Sequence, residues 1–144
     1  MKNVYKIPIP VFETDVYFII GFPNGDTLAK YLIKEIQVQK KLYKSFTEEV
    51  VELMKHHKET KTQGVTWRYS DSSKYVLCQV AIKPKNIYDI NVLALECYHV
   101  VDYFKLRQNL HIVEESNESE ALLYEYIFMQ CLHKLFPLKK LKGD

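Results

Sequence analysis

Residues 95–99 read Leu-Glu-Cys-Tyr-His. In a helix, residues four apart lie one turn apart on one face. That is the spacing at which two imidazoles grip one metal ion while a glutamate beside the first serves as base toward a metal-bound water. Here the second imidazole, His99, and the glutamate, Glu96, are in register, but position 95 is Leu95. A leucine has no lone pair to give. Glu120, early in the next helical pattern, is placed to fold back over the same spot. A metal-bound form would therefore use His99 and Glu120, with zinc as the ion and Glu96 as the base. Two ligands are fewer than the three or four that a zinc site draws from its protein. The expectation is no catalytic residue, no metal and no other cofactor.

Each of these residues has an ordinary use. An imidazole on an apolar helix serves as a hydrogen-bonded core or interface group. Glu120 stands three residues after Asn117, where a capping box favours a carboxylate without any metal. Glu96 fits an ion pair or a solvent-facing position. Among substitutes for the missing imidazole, Cys97 points to another face. His111 lies in the turn between the two helices, with Glu114, Glu115 and Glu118 nearby.

Other chemistry is sparse. His56 and His57 are adjacent, so they diverge on a helix and suit its solvated end. No G-x-S-x-G, P-loop or dinucleotide-binding turn occurs, and four glycines leave little material for a phosphate cradle. Cys78, Cys97 and Cys131 are odd in number and form no C-x-x-C, which reads as reduced thiols packed like small apolar groups. Trp67, Tyr69 and Tyr75 offer either a binding platform or, more commonly, a cross-strand cluster packed on helices.

The elements that must position these residues follow from the hydrophobic pattern. Lys2 to Phe12 is an extended entry segment, kept out of a central strand by Pro8 and Pro10. Residues 1–14 are read as an N-terminal arm. Asp15 to Gly21 is a buried strand. After Pro23-Asn24-Gly25, Asp26 or Thr27 caps a helix to about Gln37, and Ser45 or Thr47 caps a second with Val50, Val51 and Met54 inward. Gly64–Tyr69 and Tyr75–Ile82 form a hairpin turning at Asp71-Ser72-Ser73. Asp89 caps a helix whose apolar face runs from Ile90 through Leu93, Cys97, Val100 and Val101 to Phe104. A last helix runs from Asn117 to about Phe136, closed by Pro137. The fold class is α+β, with one small antiparallel or mixed sheet packed against helices. The chain of 144 residues reads as a single domain, 1–144, with a basic tail at 137–144.

Composition bounds the function. Apolar residues make up 47% and charged residues 26%, which fits a globular chain. A formal charge of +2 is too small to argue for specific nucleic acid. The start, MKNVYKIPIPVFE, lacks a signal-peptide apolar region, and Val16–Ile20 is too short to cross a bilayer. No membrane partner is expected.

From Gly64 to Leu132 the layout resembles small zincin-like proteins encoded by tailed bacteriophages and prophages. In those a hairpin leads into a helix patterned L-x-x-H-E-x-x-H-V, then a polar turn and a helix opening with E-A-x-x-Y. The matching residues are Leu93, Glu96, His99 and Val100, then Ser119-Glu120-Ala121 and Tyr124. The resemblance implies a minimal zincin-like fold in which His99 is the second metal histidine, Glu96 the base and Glu120 the third ligand. It departs at Leu95. The implied role is a non-catalytic structural component of a tailed-phage virion, with crAss-like phages the nearest setting. That component is a ring or adaptor protein at the portal–tail junction. Its partners would be portal, tail or ring subunits and further copies of itself in a ring. It would pass from host cytoplasm to virion. The alternatives are a zinc-dependent hydrolase with a substituted ligand and a small protein-binding regulator.

Overall fold

The computed structural model describes residues 1–68, 75–107 and 114–137. Four strands form one mixed sheet in the order β1-β2-β4-β3. They are β1 (Val4–Ile9), β2 (Thr14–Ile20), β3 (Gly64–Trp67) and β4 (Tyr75–Val80). The central pair β2 and β4 is parallel, with Val16 opposite Val76 and Phe18 opposite Cys78. Each edge strand runs antiparallel to its neighbour. The helices are α1 (Gly25–Glu35), α2 (Tyr43–Glu59), α3 (Ile87–Arg107) and α4 (Glu114–Leu135).

Parallel strands buried on both faces read as continuous apolar runs, and all six residues of β4 are buried. Alternate residues feed two cores. Val16, Phe18, Val76, Cys78 and Val80 pack against α3 and α4 through Leu93, Cys97, Val100, Phe104, Ile127 and Cys131. Tyr17, Ile19, Tyr75 and Leu77 pack against α1 and α2 through Leu28, Leu32, Phe46, Val50 and Met54. The sheet thus lies between two helical layers. One polar side chain is built into the second layer. Gln79 accepts from the Trp67 indole at 3.1 Å and donates to the Gly21 carbonyl at 2.7 Å. Trp67 and Tyr75 are therefore core groups of the hairpin; Tyr69 and the turn at 71–73 lie outside the described residues.

The entry segment differs from its expected role as an arm. Residues 4–9 are one of the sheet's two edge strands, with Val4, Ile7 and Ile9 buried. Pro8 is tolerated because an edge strand leaves one row of backbone groups unpaired. Its carbonyl accepts from the Tyr126 hydroxyl at 3.2 Å.

The caps also fall elsewhere. Asn24 caps α1, accepting from the Thr27 amide at 3.1 Å, in place of Asp26 or Thr27. α2 begins at Tyr43 without a side-chain cap, and the Ser45 hydroxyl bonds back to the Leu42 carbonyl. Asn86 caps α3 by accepting from the Asp89 amide, while Asp89 reaches back to the Lys85 amide at 2.9 Å. α4 starts at Glu114, so Asn117 lies inside the helix and not at its start. Both α1 and α2 stop in Schellman motifs. The Val38 amide bonds to the Ile33 carbonyl and the Thr62 amide to the His57 carbonyl. The left-handed positions are Gln37 (φ 53) and Lys61 (φ 52).

Candidate functional site

α3 runs beneath the edge strand β3, and the two enclose a shallow groove. Gly64, Val65 and Thr66 line one side and Glu96, His99, Asp102, Tyr103 and Leu106 the other. The alternation of β3 turns Gly64 and Thr66 toward α3 and Val65 and Trp67 toward the other layer. Glu96 is drawn in at the base of the groove and is only 5% exposed. The Thr66 hydroxyl lies 2.9 Å from its Oε1 and 3.0 Å from its backbone carbonyl oxygen. Burial raises the pKa of the Glu96 carboxyl, and the Thr66 hydrogen bond and nearby His99 draw it part of the way back. A β-carbon built on Gly64 would sit 2.8 Å from Glu96 Oε2 and 2.9 Å from a Val92 methyl. The glycine is what lets the carboxyl slide under the strand.

The sequence-derived candidates separate in space. Glu96 and His99 share the groove, as their spacing requires, but His99 is exposed and Glu96 is tucked inward. Leu95 is 53% exposed, one turn before His99. Glu120 faces α3 further along, in an ion pair with Lys105 at 3.1 Å that also raises the lysine's pKa. Tyr124 donates to the Ala94 carbonyl at 3.2 Å, pinning α4 on α3. Leu93 and Val100 are core residues, and Ser119 and Glu118 are exposed. His111 lies outside the described residues, and Glu114 and Glu115 lie where side chains are not described. Among the described residues, no three His, Cys, Asp or Glu side chains converge as a metal-holding group.

As it stands, the groove can bind an extended partner or exchange a proton at Glu96. Arg68 sits over the Tyr103 ring at 5.7 Å and adds a cation near its rim.

Two features escaped the sequence reading. Cys78, Cys97 and Cys131 come from β4, α3 and α4 and meet in the core, all buried and free. Hydrogen bonds from Cys131 and Cys97, then burial, raise the pKa of the Cys78 thiol. His57 is not a solvated end group. Its ring stacks on Phe22 at 5.7 Å, and its Nδ1 lies 3.2 Å from the Thr62 hydroxyl. The signal for His57 was its position one turn after Leu53 and three residues after the inward Met54; nothing in the sequence signalled the meeting of the thiols.

Compared with known proteins, the chain matches no family model, no curated protein and no solved structure. Among the described residues, no helix is long and apolar enough to cross a membrane.

Proposed function

We propose that the chain is a non-catalytic structural subunit of a protein assembly, docking through the outer face of α3 and α4. The observation that carries this reading is an apolar stripe on the solvent side of α4. Leu122, Tyr126 and Met129 recur at helical spacing, Phe136 follows just past the helix end, and the four are 40% to 61% exposed. The opposite side of the same helix buries Ile127, Cys131 and Leu135 in the core. α3 repeats the pattern, with Leu95 and Tyr98 each 53% exposed opposite buried Leu93, Cys97 and Val100. A helix apolar on both sides suits burial on both sides. Exposed apolar side chains gathered along one helix face are the form an interaction site takes.

The fate of the motif supports the same reading. Leu95 fills the place of an imidazole, Glu120 is held by Lys105, and the Glu96 carboxyl is held by Thr66. In zinc-dependent hydrolysis the general base acts on a water whose pKa the metal has lowered. The resemblance of residues 64–132 to phage proteins directs the proposal to a tailed-phage virion. There the chain would be a ring or adaptor protein at the portal–tail junction, in contact with portal, tail or ring subunits. Copies joined head to tail close into a ring if the rotation per contact permits.

Sedimentation of the purified chain, with and without Met129→Glu, tests the docking face. Mass spectrometry of purified particles tests the setting. We expect concentration-dependent association that Met129→Glu abolishes, and stoichiometric presence in particles. A chain that stays monomeric and is absent from particles would refute the proposal. About one zinc per chain, lost on His99→Ala, would replace it with the metallohydrolase.

A further inference from the structure

The chain leaves β2 toward α1, on one face of the sheet, and leaves β4 toward α3, on the other. β2 and β4 are adjacent and parallel. Where neighbouring parallel strands send their connections to opposite faces, a crevice opens outside their carboxyl ends, and ligands of α/β proteins bind there. This sheet has one such point, and it holds a cavity of about 370 Å³. The volume falls within the range of small-molecule sites.

The lining comes from every element that meets there. Phe22 follows β2. Val80 ends β4, and Ala81 and Ile82 follow it. His57 and Lys58 close α2, Lys61 lies just past it, and Asp89 and Val92 belong to the first turns of α3. The floor is apolar and one wall is the stacked pair of Phe22 and His57 rings. The rim carries two lysines against one carboxylate, and Asp89 already accepts from the Lys85 amide. The carbonyl end of α2 opposes an anion here, but its Schellman bonds occupy the His57 and Lys58 carbonyls. The amino end of α3, which favours an anion, faces the same cavity.

We propose that this crevice is a binding site for a small aromatic carboxylate, with its ring over the Val80–Ala81–Val92 floor beside Phe22 and His57 and its charge toward Lys58 and Lys61. The site is independent of the α3–α4 docking face. Neither the groove under β3 nor any residue of the altered zinc motif contributes to it.

The test is a titration of the full chain with 2-naphthoate, followed by amide NMR shifts, beside its neutral counterpart 2-naphthalenemethanol. Saturable shifts confined to residues 20–22, 57–63 and 80–92 are expected, with the anion bound about fivefold more tightly than the alcohol, the size of two exposed charge contacts. Lys58→Met with Lys61→Met should erase that preference while leaving alcohol binding intact. Ala81→Leu should weaken both ligands by filling the floor. If that variant does not fold, the lysine pair still decides the matter. No saturable shift, shifts scattered over the surface, or equal binding of acid and alcohol would each overturn the proposal.

Discussion

The Thr66 hydroxyl lies within hydrogen-bond distance of both the carboxyl and the backbone carbonyl of Glu96, tying edge strand β3 to the helix that carries the altered motif. The consequence is a pH signature. Burial raises the folded-state pKa of Glu96 above its unfolded value. The stability associated with its proton is therefore fully present below the unfolded pKa and is lost as pH rises through the folded pKa. Denaturant unfolding from acid to neutral pH should show this decline, and Glu96→Gln should remove it. Thr66→Val should steepen it and cost about 1–3 kcal/mol, the range for leaving a buried polar group without its partner. Identical pH profiles for wild type and Glu96→Gln would show that the carboxyl is not held as described.

Leu95→His would place a second imidazole one turn before His99 on the exposed side of α3. The change should raise zinc affinity above that of the natural chain, at small cost in stability because position 95 is not in the core. Affinity should remain below that of a three-ligand site, since Glu120 is engaged by Lys105. Adding Lys105→Met releases Glu120, and stronger binding in that variant would show that Glu120 reaches the ion held by the two imidazoles of α3. Calorimetric titration with zinc measures both steps. Wild-type affinity equal to that of the variant would mean that the natural chain holds zinc by other ligands.

The periodic parts of the chain were legible. β2 and the β3–β4 hairpin announce themselves by continuous or alternating apolar residues, and α3 by its inward run from Leu93 to Phe104. What failed was local chemistry with more than one reading. Pro8 argues against a central strand but not against an edge strand, and residues 4–9 took the edge. Asn24 and Asn86 won the capping positions from neighbouring Asp and Thr residues able to do the same work. At the site, Glu96 and His99 share a groove because helical spacing dictates it. Thr66 and Gly64, which set the fate of Glu96, lie thirty or more residues earlier and give no local sign of it. The assignment of α1 and α2 to one face and α3 and α4 to the other is likewise a tertiary outcome. It creates the crevice that holds His57.

Cys78, Cys97 and Cys131 are each buried to zero exposure. A thiol reacts through its thiolate and only when a reagent reaches it. Ellman's reagent should therefore find no rapidly reacting thiol in the native protein and three after denaturation. The native reaction should follow the opening of the α3–α4 core rather than reagent concentration. A thiol that reacts at once would place α4 loosely on the sheet.

Gln37 occupies the left-handed C′ position of α1 and is exposed. A side chain there carries a cost of about 1–2 kcal/mol that glycine avoids. Glycine also widens the unfolded ensemble, which takes back about 0.4–1 kcal/mol. Gln37→Gly should stabilise the protein by about 0.5–1 kcal/mol, read from the denaturation midpoint at unchanged slope. Destabilisation would mean that α1 ends differently.

Gly64 and Glu96 offer the sharpest check on the groove. Gly64→Ala would drive a methyl against the Glu96 side chain and a Val92 methyl, both within 3 Å of the new carbon. Overpacking of this kind costs about 1–3 kcal/mol. Glu96→Ala alone removes the buried carboxyl but leaves Thr66 without its side-chain partner. In the double variant the space vacated by Glu96 accepts the new methyl, so the combined loss should be smaller than the sum of the two. The coupling should be about 0.5 kcal/mol or more, of the sign that marks relief of a clash. Strict additivity would separate the two residues in space and remove the basis for a carboxyl stowed under β3.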